Sequence, residues 1–261
     1  MIPIRTSGQI EIMKEGGKRL GWVFGQVLAK VKPGIKLSEL DQLAETLIKK
    51  QKGKPSFKMV KDYHWATCIN VNQGVVHGIP GEYQLKNGDV VSLDMGMFYK
   101  GLHTDMARSI RMGSSEVNEF LETGKSVLGK AIKVARVGKR IGHISQMIES
   151  QIKKAGFSPV RALTGHGVGK KLHEEPQIPC FLKTEIKKTP LIKPGMSLAI
   201  EVIYTQGSPR LVLGEDNWTI ETADGSLAGL FEDTVIVTKK KPLVLTFSGW
   251  TKGGEFGKID R

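Results

Sequence analysis

The chain has 261 residues, 39% of them hydrophobic, which is enough for a buried core in one large domain or two small ones. Its 39 Lys and Arg against 26 Asp and Glu leave a formal charge of +13, which suits a polyanion such as RNA or an anionic membrane, or a merely solvated surface. Cys68 and Cys180 are too few for a disulfide framework or a Cys-rich zinc site, no apolar run approaches the roughly 20 residues of a membrane span, and no apolar signal segment opens the chain. The expectation is a cytoplasmic protein, with no membrane partner, folded as a single domain over residues 1–261.

Thr6 or Ser7 caps a first helix with an apolar stripe of Ile10, Met13, Leu20, Phe24, Val27 and Val31, and Lys32-Pro33-Gly34 breaks it. Ser38 starts a second helix that ends at Gly53. Residues 63–80 read as extended with a turn near Asn72-Gln73-Gly74, and Lys86-Asn87-Gly88 is a further turn. A hairpin over residues 90–112 follows. With Tyr99 and Lys100 as its loop, paired positions sum to 199, so Asp94 is expected directly opposite Asp105 on one face. Like charges so placed destabilise the pair, and a shared proton or a bound cation removes the penalty. Ser114 or Ser115 caps a third helix through residue 135, and a fourth runs from about 142 to 155. Strands are expected over 160–164, 197–204, 218–222 and 233–238.

The chain repeats itself. Residues 34–50 match residues 138–154 at an offset of 104, with Gln42, Glu45, Lys49 and Lys50 falling on Gln146, Glu149, Lys153 and Lys154. Residues 86–94 match residues 193–201 at an offset of 107, each a turn, a strand and a terminal carboxylate, Asp94 or Glu201. His77-Gly-Ile-Pro80 resembles His173-Glu-Glu-Pro176. Two related halves facing each other follow, with a cleft between them as the place for a site.

Asp94 and Asp105 from one half would then meet Glu201, Glu232 and the histidine of Gly165-His166-Gly167-Val168-Gly169 from the other. Glycines clear space around His166, and a lone carboxylate in the apolar run 198–203 is expensive unless it has a purpose. His77, His173 and Glu232 read singly are equally consistent with structural roles. Ionised carboxylates packed together need a counter-charge. Oxygen-rich ligation with one imidazole suits Mn, Fe or Co better than structural zinc, and five such ligands can hold two ions about 3.5–4 Å apart with a water between them as nucleophile. The glycine run fails the P-loop pattern at Thr164 and Lys171 and the dinucleotide pattern at Lys170.

Five blocks in order, TCINVNQGVVHGIP, VVSLDMGMFYKGLHTDMARS, TGHGVGKKLHEEP, AIEV and FEDT, resemble a type I methionine aminopeptidase over essentially the whole chain. The resemblance implies the α/β (α+β) pita-bread fold, with pseudo-twofold halves of helices over a curved antiparallel sheet. It implies removal of the initiator methionine when the next residue is small. Asp94 resembles the bidentate ligand of one metal, Asp105 and Glu232 the bridging carboxylates, and His166 and Glu201 the ligands of the other. His77 and His173 resemble the non-ligand histidines that contact the substrate amide, Glu201 the proton shuttle, and Tyr63, Cys68 and Trp218 the wall of the methionine pocket. The implied cofactors are two divalent ions (Co, Mn, Fe or Zn), and the implied partners are N-terminal Met peptides and nascent chains. Ribosome association through the basic surface and a monomeric state are further expectations.

The sequence departs from the family pattern at three places. Val202 follows Glu201 where proline is usual, Asp233 follows Glu232 where histidine is common, and Leu172 replaces a frequent phenylalanine before His173. None removes a ligand, but pocket shape and a negative charge beside the site are put in question. Two alternatives remain open on these residues. One is an Xaa-Pro aminopeptidase or dipeptidase of the same fold, and the other a non-catalytic RNA- or ribosome-binding protein.

Overall fold

The computed structural model describes residues 2–113 and 118–246. Helices α1 (Ser7–Leu28) and α2 (Leu37–Lys50) lead into strands β1 (Lys54–Pro55), β2 (Thr67–Val71), β3 (Gly74–Val76), β4 (Val90–Tyr99) and β5 (Leu102–Arg111). Helices α3 (Glu119–Val134) and α4 (Ile141–Lys154) lead into β6 (Ser158–Pro159), β7 (Thr164–Gly167), β8 (Glu174–Pro179), β9 (Ser197–Thr205), β10 (Leu211–Leu213), β11 (Ile220–Thr222), β12 (Ala228–Ile236) and β13 (Leu243–Val244). One ten-stranded antiparallel sheet runs β1-β4-β5-β12-β9-β7-β8, with β2 on β4, β6 on β9 and β13 on β12. A small second sheet is β10-β11-β3.

The internal repeat becomes a structural one. α2 and α4 begin and end at positions exactly 104 apart, and β4 and β9 begin 107 apart. Even the isolated bridges correspond, Lys36 with Gln84 in one half and Arg140 with Leu191 in the other. Each half buries its own core. Leu20, Phe24, Leu40 and Ile48 pack on Leu93 and Met95 in the first. Phe120, Leu128, Ile144 and Ile148 pack on Leu198, Ile200 and Leu230 in the second. The pseudo-twofold α/β architecture is the one expected.

Local chemistry explains where boundaries differ from expectation. Thr6 caps α1 reciprocally: its hydroxyl accepts from the Gln9 amide at 3.3 Å and the Gln9 side chain accepts from the Thr6 amide at 3.0 Å. α2 starts one residue before Ser38, because Glu39 reaches back to the Lys36 amide (3.1 Å) while the Ser38 hydroxyl donates to Glu82 (3.0 Å). Asn118 caps α3, and Ser114 and Ser115 lie outside the described residues. The strand expected over 160–164 is absent. The Val160 amide donates to the Ile203 carbonyl (3.0 Å), the chain then leaves the sheet with Arg161 and Ala162 exposed, and pairing resumes at Thr164. Trp218 and Thr219 stay out of β11 because Asp216 accepts from both their amides, at 2.8 and 2.7 Å. β12 starts five residues before Asp233 and pairs with β9 along its full length.

The hairpin register also differs. Tyr99 pairs with Leu102, so the loop is Lys100-Gly101 with φ of 46° and 88°, the positive pair a two-residue hairpin turn requires. Asp94 therefore faces Ala107 and Asp105 faces Gly96. A shift of two residues keeps both carboxylates on the expected face, whereas a shift of one would have separated them.

Candidate metal centre and its pocket

Five neighbouring strands each place one ligand-type side chain in the same small cavity. In sheet order these are Asp94 on β4, Asp105 on β5, Glu232 on β12, Glu201 on β9 and His166 on β7. Register aligns them: Glu232 lies opposite both Ala107 and Glu201, and His166 lies opposite Ala199. Gly96, the partner of Asp105, leaves room for it, since a Cβ there would come within 3.2 Å of Asp105 Oδ1 and 2.8 Å of Ser56. The Thr234 hydroxyl fixes the Asp105 backbone, accepting from its amide and donating to its carbonyl, both at 2.8 Å.

The set fits divalent metal. Asp105, His166 and Glu232 each offer a ligand atom, all within 4.8 Å of one another. His166 Nδ1 donates to the Gly167 carbonyl at 2.9 Å, which leaves Nε2 as a lone pair 3.4 Å from Glu201 Oε1. Asp94 Oδ1 and Glu232 Oε1 are buried without a protein partner, as oxygens that face a cation would be.

Electrostatics say the same. Burial, then Asp105 and Glu201, push the Asp94 carboxyl well above its ordinary range. Burial, then Asp105, raises Glu201, and burial followed by four neighbouring carboxylates raises Glu232. Asp105 is raised by burial to about 7. Burial pushes His166 down to about 3, reinforced by His173. Four acids that resist ionising and a base that resists protonation form a site short of positive charge.

The cavity measures about 170 Å³ and is also lined by Phe57, Val60, Tyr63, Cys68, Val76, His77, Leu172, His173 and Trp218. All ten side chains singled out in the sequence therefore line it. Phe57, Val60 and Val76 were not foreseen, because Phe57 sits in a single turn of 3-10 helix and Val60 just beyond it, with no periodicity to expose them. The wall is aromatic: Tyr63 packs edge-on against Trp65 and Trp218, with centroids 5.3 and 5.1 Å apart. The Tyr63 hydroxyl donates to the Thr67 carbonyl at 2.8 Å. Burial raises both the Tyr63 and Cys68 groups, so they present neutral, polarisable surface. His173 stacks edge-on against His166 at 4.5 Å. Burial lowers His173, and burial followed by His173 lowers His77, so both imidazoles are neutral hydrogen-bond donors at neutral pH.

The three departures resolve individually. Val202 is buried in the core on the far face of β9. Leu172 lines the pocket beside Phe57, Tyr63 and Cys68. Asp233 points away from the cavity, where both its oxygens accept from Arg108 (2.9 and 2.8 Å) and one from Thr246 (2.9 Å). Its charge is thus answered outside the site.

Among the described residues no helix is long and apolar enough to cross a membrane. Residues 11–239 match the model of metallopeptidase family M24. The chain is 40% identical over 248 residues to methionine aminopeptidase 1 of Bacillus subtilis, covering 94% of this chain and 99% of that one. The crystal structure of methionine aminopeptidase from Thermotoga maritima superposes with a TM-score of 0.91 at 38% identity, covering 94% of this chain and 99% of that one. Prolidase from Pyrococcus furiosus shares the fold alone, with a TM-score of 0.75 at 23% identity over 93% of this chain and 65% of its own. The chain belongs to metallopeptidase family M24, in its methionine aminopeptidase branch.

Proposed function

We propose that this protein, acting as one catalytic domain, removes the N-terminal methionine from new polypeptides whose second residue is small. The observation that carries this reading is the row of Asp94, Asp105, Glu232, Glu201 and His166 across five adjacent strands, at the floor of a small aromatic-walled cavity. Asp94, Asp105, Glu232, Glu201 and His166 are the side chains that would hold two divalent ions. Bound there, divalent ions supply Lewis-acid polarisation of the scissile carbonyl and activation of water.

The chain's own groups do the rest. Tyr63, Cys68, Leu172 and Trp218 hold the thioether and orient the scissile amide, which keeps bulk water from the reacting atoms. His77 and His173, kept neutral by burial, donate N–H bonds to the substrate amide and to the oxyanion that develops on it. Glu201, raised by burial and Asp105, accepts a proton from water and passes it to the leaving amine. The small cavity has room for one side chain and a free terminus, which would restrict cleavage to the first residue. The proposed setting is the cytoplasm, where nascent chains leave the ribosome and the +13 charge favours salt-sensitive association with it.

The test is methionine release from Met-Gly-Met-Met by metal-stripped protein with Mn, Co, Fe or Zn added back, alongside Xaa-Pro peptides. Metal-dependent release of methionine with Xaa-Pro bonds intact is expected. Cleavage of Xaa-Pro peptides instead would move the chain to a proline-specific activity. No cleavage with any metal would favour a binding role.

A further inference from the structure

His77 lines the metal-site cavity with a backbone φ of 60°. That is the left-handed region, which a non-glycine residue enters where its surroundings hold it. The chain changes sheets at this residue. Val76 pairs with Ile220 of β11 in the small sheet, whereas the Gly78 carbonyl accepts from the amide of Ile69, on β2 of the large sheet, at 3.0 Å. The Asn70 side chain completes the hold, its Oδ1 accepting from the Gly78 amide at 2.9 Å. The Tyr63 hydroxyl, in the wall of the cavity, donates to the same Gly78 carbonyl at 3.2 Å. The fit has no slack: a Cβ on Gly78 would come within 2.7 Å of Asn70 Oδ1 and closer still to the Ile69 carbonyl.

We infer that Asn70 is a positioning residue for His77: by gripping the Gly78 amide it fixes the backbone turn that aims the His77 imidazole into the cavity. Asn70 is buried, and its Nδ2 has no hydrogen-bond partner among the described residues. An unpaired buried donor is a cost to stability, and an apolar side chain of the same size would avoid it. The engaged end of the amide is the end that holds Gly78. With Val76 locked to β11 on one side and both polar groups of Gly78 tied on the other, the two peptide units flanking His77 are anchored, so its Cα–Cβ direction is set before a substrate arrives. The other half repeats the device with different chemistry. The residue after His173 is Glu174, and buried Arg5 grips its carboxylate. Each of the two histidines is thus held through the residue that follows it. For what His77 does, the inference rests on the proposed peptide hydrolysis; for how Asn70 holds it, it does not.

The test uses full-length protein carrying Asn70→Ala, or Asn70→Leu should the alanine variant not fold, with Asn70→Asp as the variant that keeps an acceptor at Oδ1. The first readout needs neither metal nor peptide. It is proton–nitrogen NMR of the histidine rings and of the Gly78 amide in metal-free protein at one pH, the His77 signal being identified by its loss in His77→Ala. Asn70→Ala is expected to move or broaden the His77 signal, to leave those of His103 and His143 in place, and to speed solvent exchange of the Gly78 amide by about ten-fold or more. Asn70→Asp is expected to restore both. The second readout is methionine release from Met-Gly-Met-Met with Mn. Asn70→Ala is expected to lower kcat about ten-fold, with KM and Mn content within about two-fold of the parent, and to change kcat by less than about two-fold when added to His77→Ala. A residue that only supports the fold would cost the same factor in either background. An unmoved His77 signal in Asn70→Ala would overturn the inference, and so would kcat losses of the two single variants that multiply in the double. A parent protein that releases no methionine contradicts the proposed function, while the NMR comparison still decides whether Asn70 holds His77.

Discussion

Arg5 and Glu174, 169 residues apart, form a buried ion pair directly behind the loop that carries His173. Arg5 also donates to Ser197 Oγ at 2.9 Å and to the Val168 carbonyl at 3.2 Å, and the other Glu174 oxygen accepts from the Lys171 amide at 3.0 Å. The N-terminal segment thus ties down both ends of residues 168–174. Removing one partner of a buried pair leaves an uncompensated charge, at a cost of about 3–5 kcal/mol. Arg5→Met is expected to lower stability by that order and to cut turnover at least ten-fold while metal content, measured by mass spectrometry, stays at the parent level. Arg5→Lys, which keeps the charge but not the fork, is expected to fall between. Parent-level turnover in a folded Arg5→Met protein would mean that His173 is held by other contacts.

The buried carboxylates predict a pH signature for the metal-free protein. Asp105 is raised to about 7 by burial, so its contribution to stability is full below its ordinary value near 4 and is lost as pH rises through 7. Asp105→Asn removes that loss. Metal-free Asp105→Asn is expected to melt higher than metal-free parent at pH 8, with the gap closing by pH 5. Thermal unfolding of both at the two values checks it, and a gap that widens toward pH 5 would contradict the burial argument.

Arg108 and Asp233 clamp β5 to β12 beside the metal centre, since Arg108 also donates to the Ala107 carbonyl (2.8 Å) and to the Glu232 carbonyl. Asp233→Ala leaves the guanidinium without its counter-charge and is expected to cost about 3 kcal/mol. Arg108→Met combined with Asp233→Leu is expected to recover most of it, because neither charge is then stranded. Denaturant unfolding of the single and double variants measures the coupling.

Leu172 lines the pocket beside Phe57, Tyr63 and Cys68. Leu172→Phe is expected to shrink the cavity and to discriminate about ten-fold more strongly against a peptide beginning with ethionine, the S-ethyl homologue of methionine, since one methylene in an apolar pocket is worth about 1–3 kcal/mol. The kcat/KM ratio for the two peptides reports it. An unchanged ratio would place the end of the side chain elsewhere.

Much of this was legible in the chain. The offset of 104 between residues 34–50 and 138–154 reappears as α2 and α4, because polar as well as apolar positions repeat. The offset of 107 reappears in β4 and β9, which carry Asp94 and Glu201 to equivalent places. What escaped were interactions with no local pattern. The hairpin loop was misplaced by one residue, although Gly101 marks where a positive φ is needed. The Asx turn at Asp216 that holds Trp218 off its strand depends on a side chain choosing backbone amides over solvent. Arg5–Glu174 and Arg108–Asp233 join residues more than a hundred positions apart and exist only once the halves close.

The proposed function requires that Asp105 on β5 and Glu232 on β12, from the two halves, both take part in holding two ions. The most direct measurement is the number of Mn ions retained per chain by parent, Glu232→Gln and His77→Ala proteins after equilibrium dialysis. The parent and His77→Ala are expected to retain two, and Glu232→Gln fewer than one, with its methionine release lost. Two ions in Glu232→Gln, or loss of an ion in His77→Ala, would contradict the assignment of these side chains.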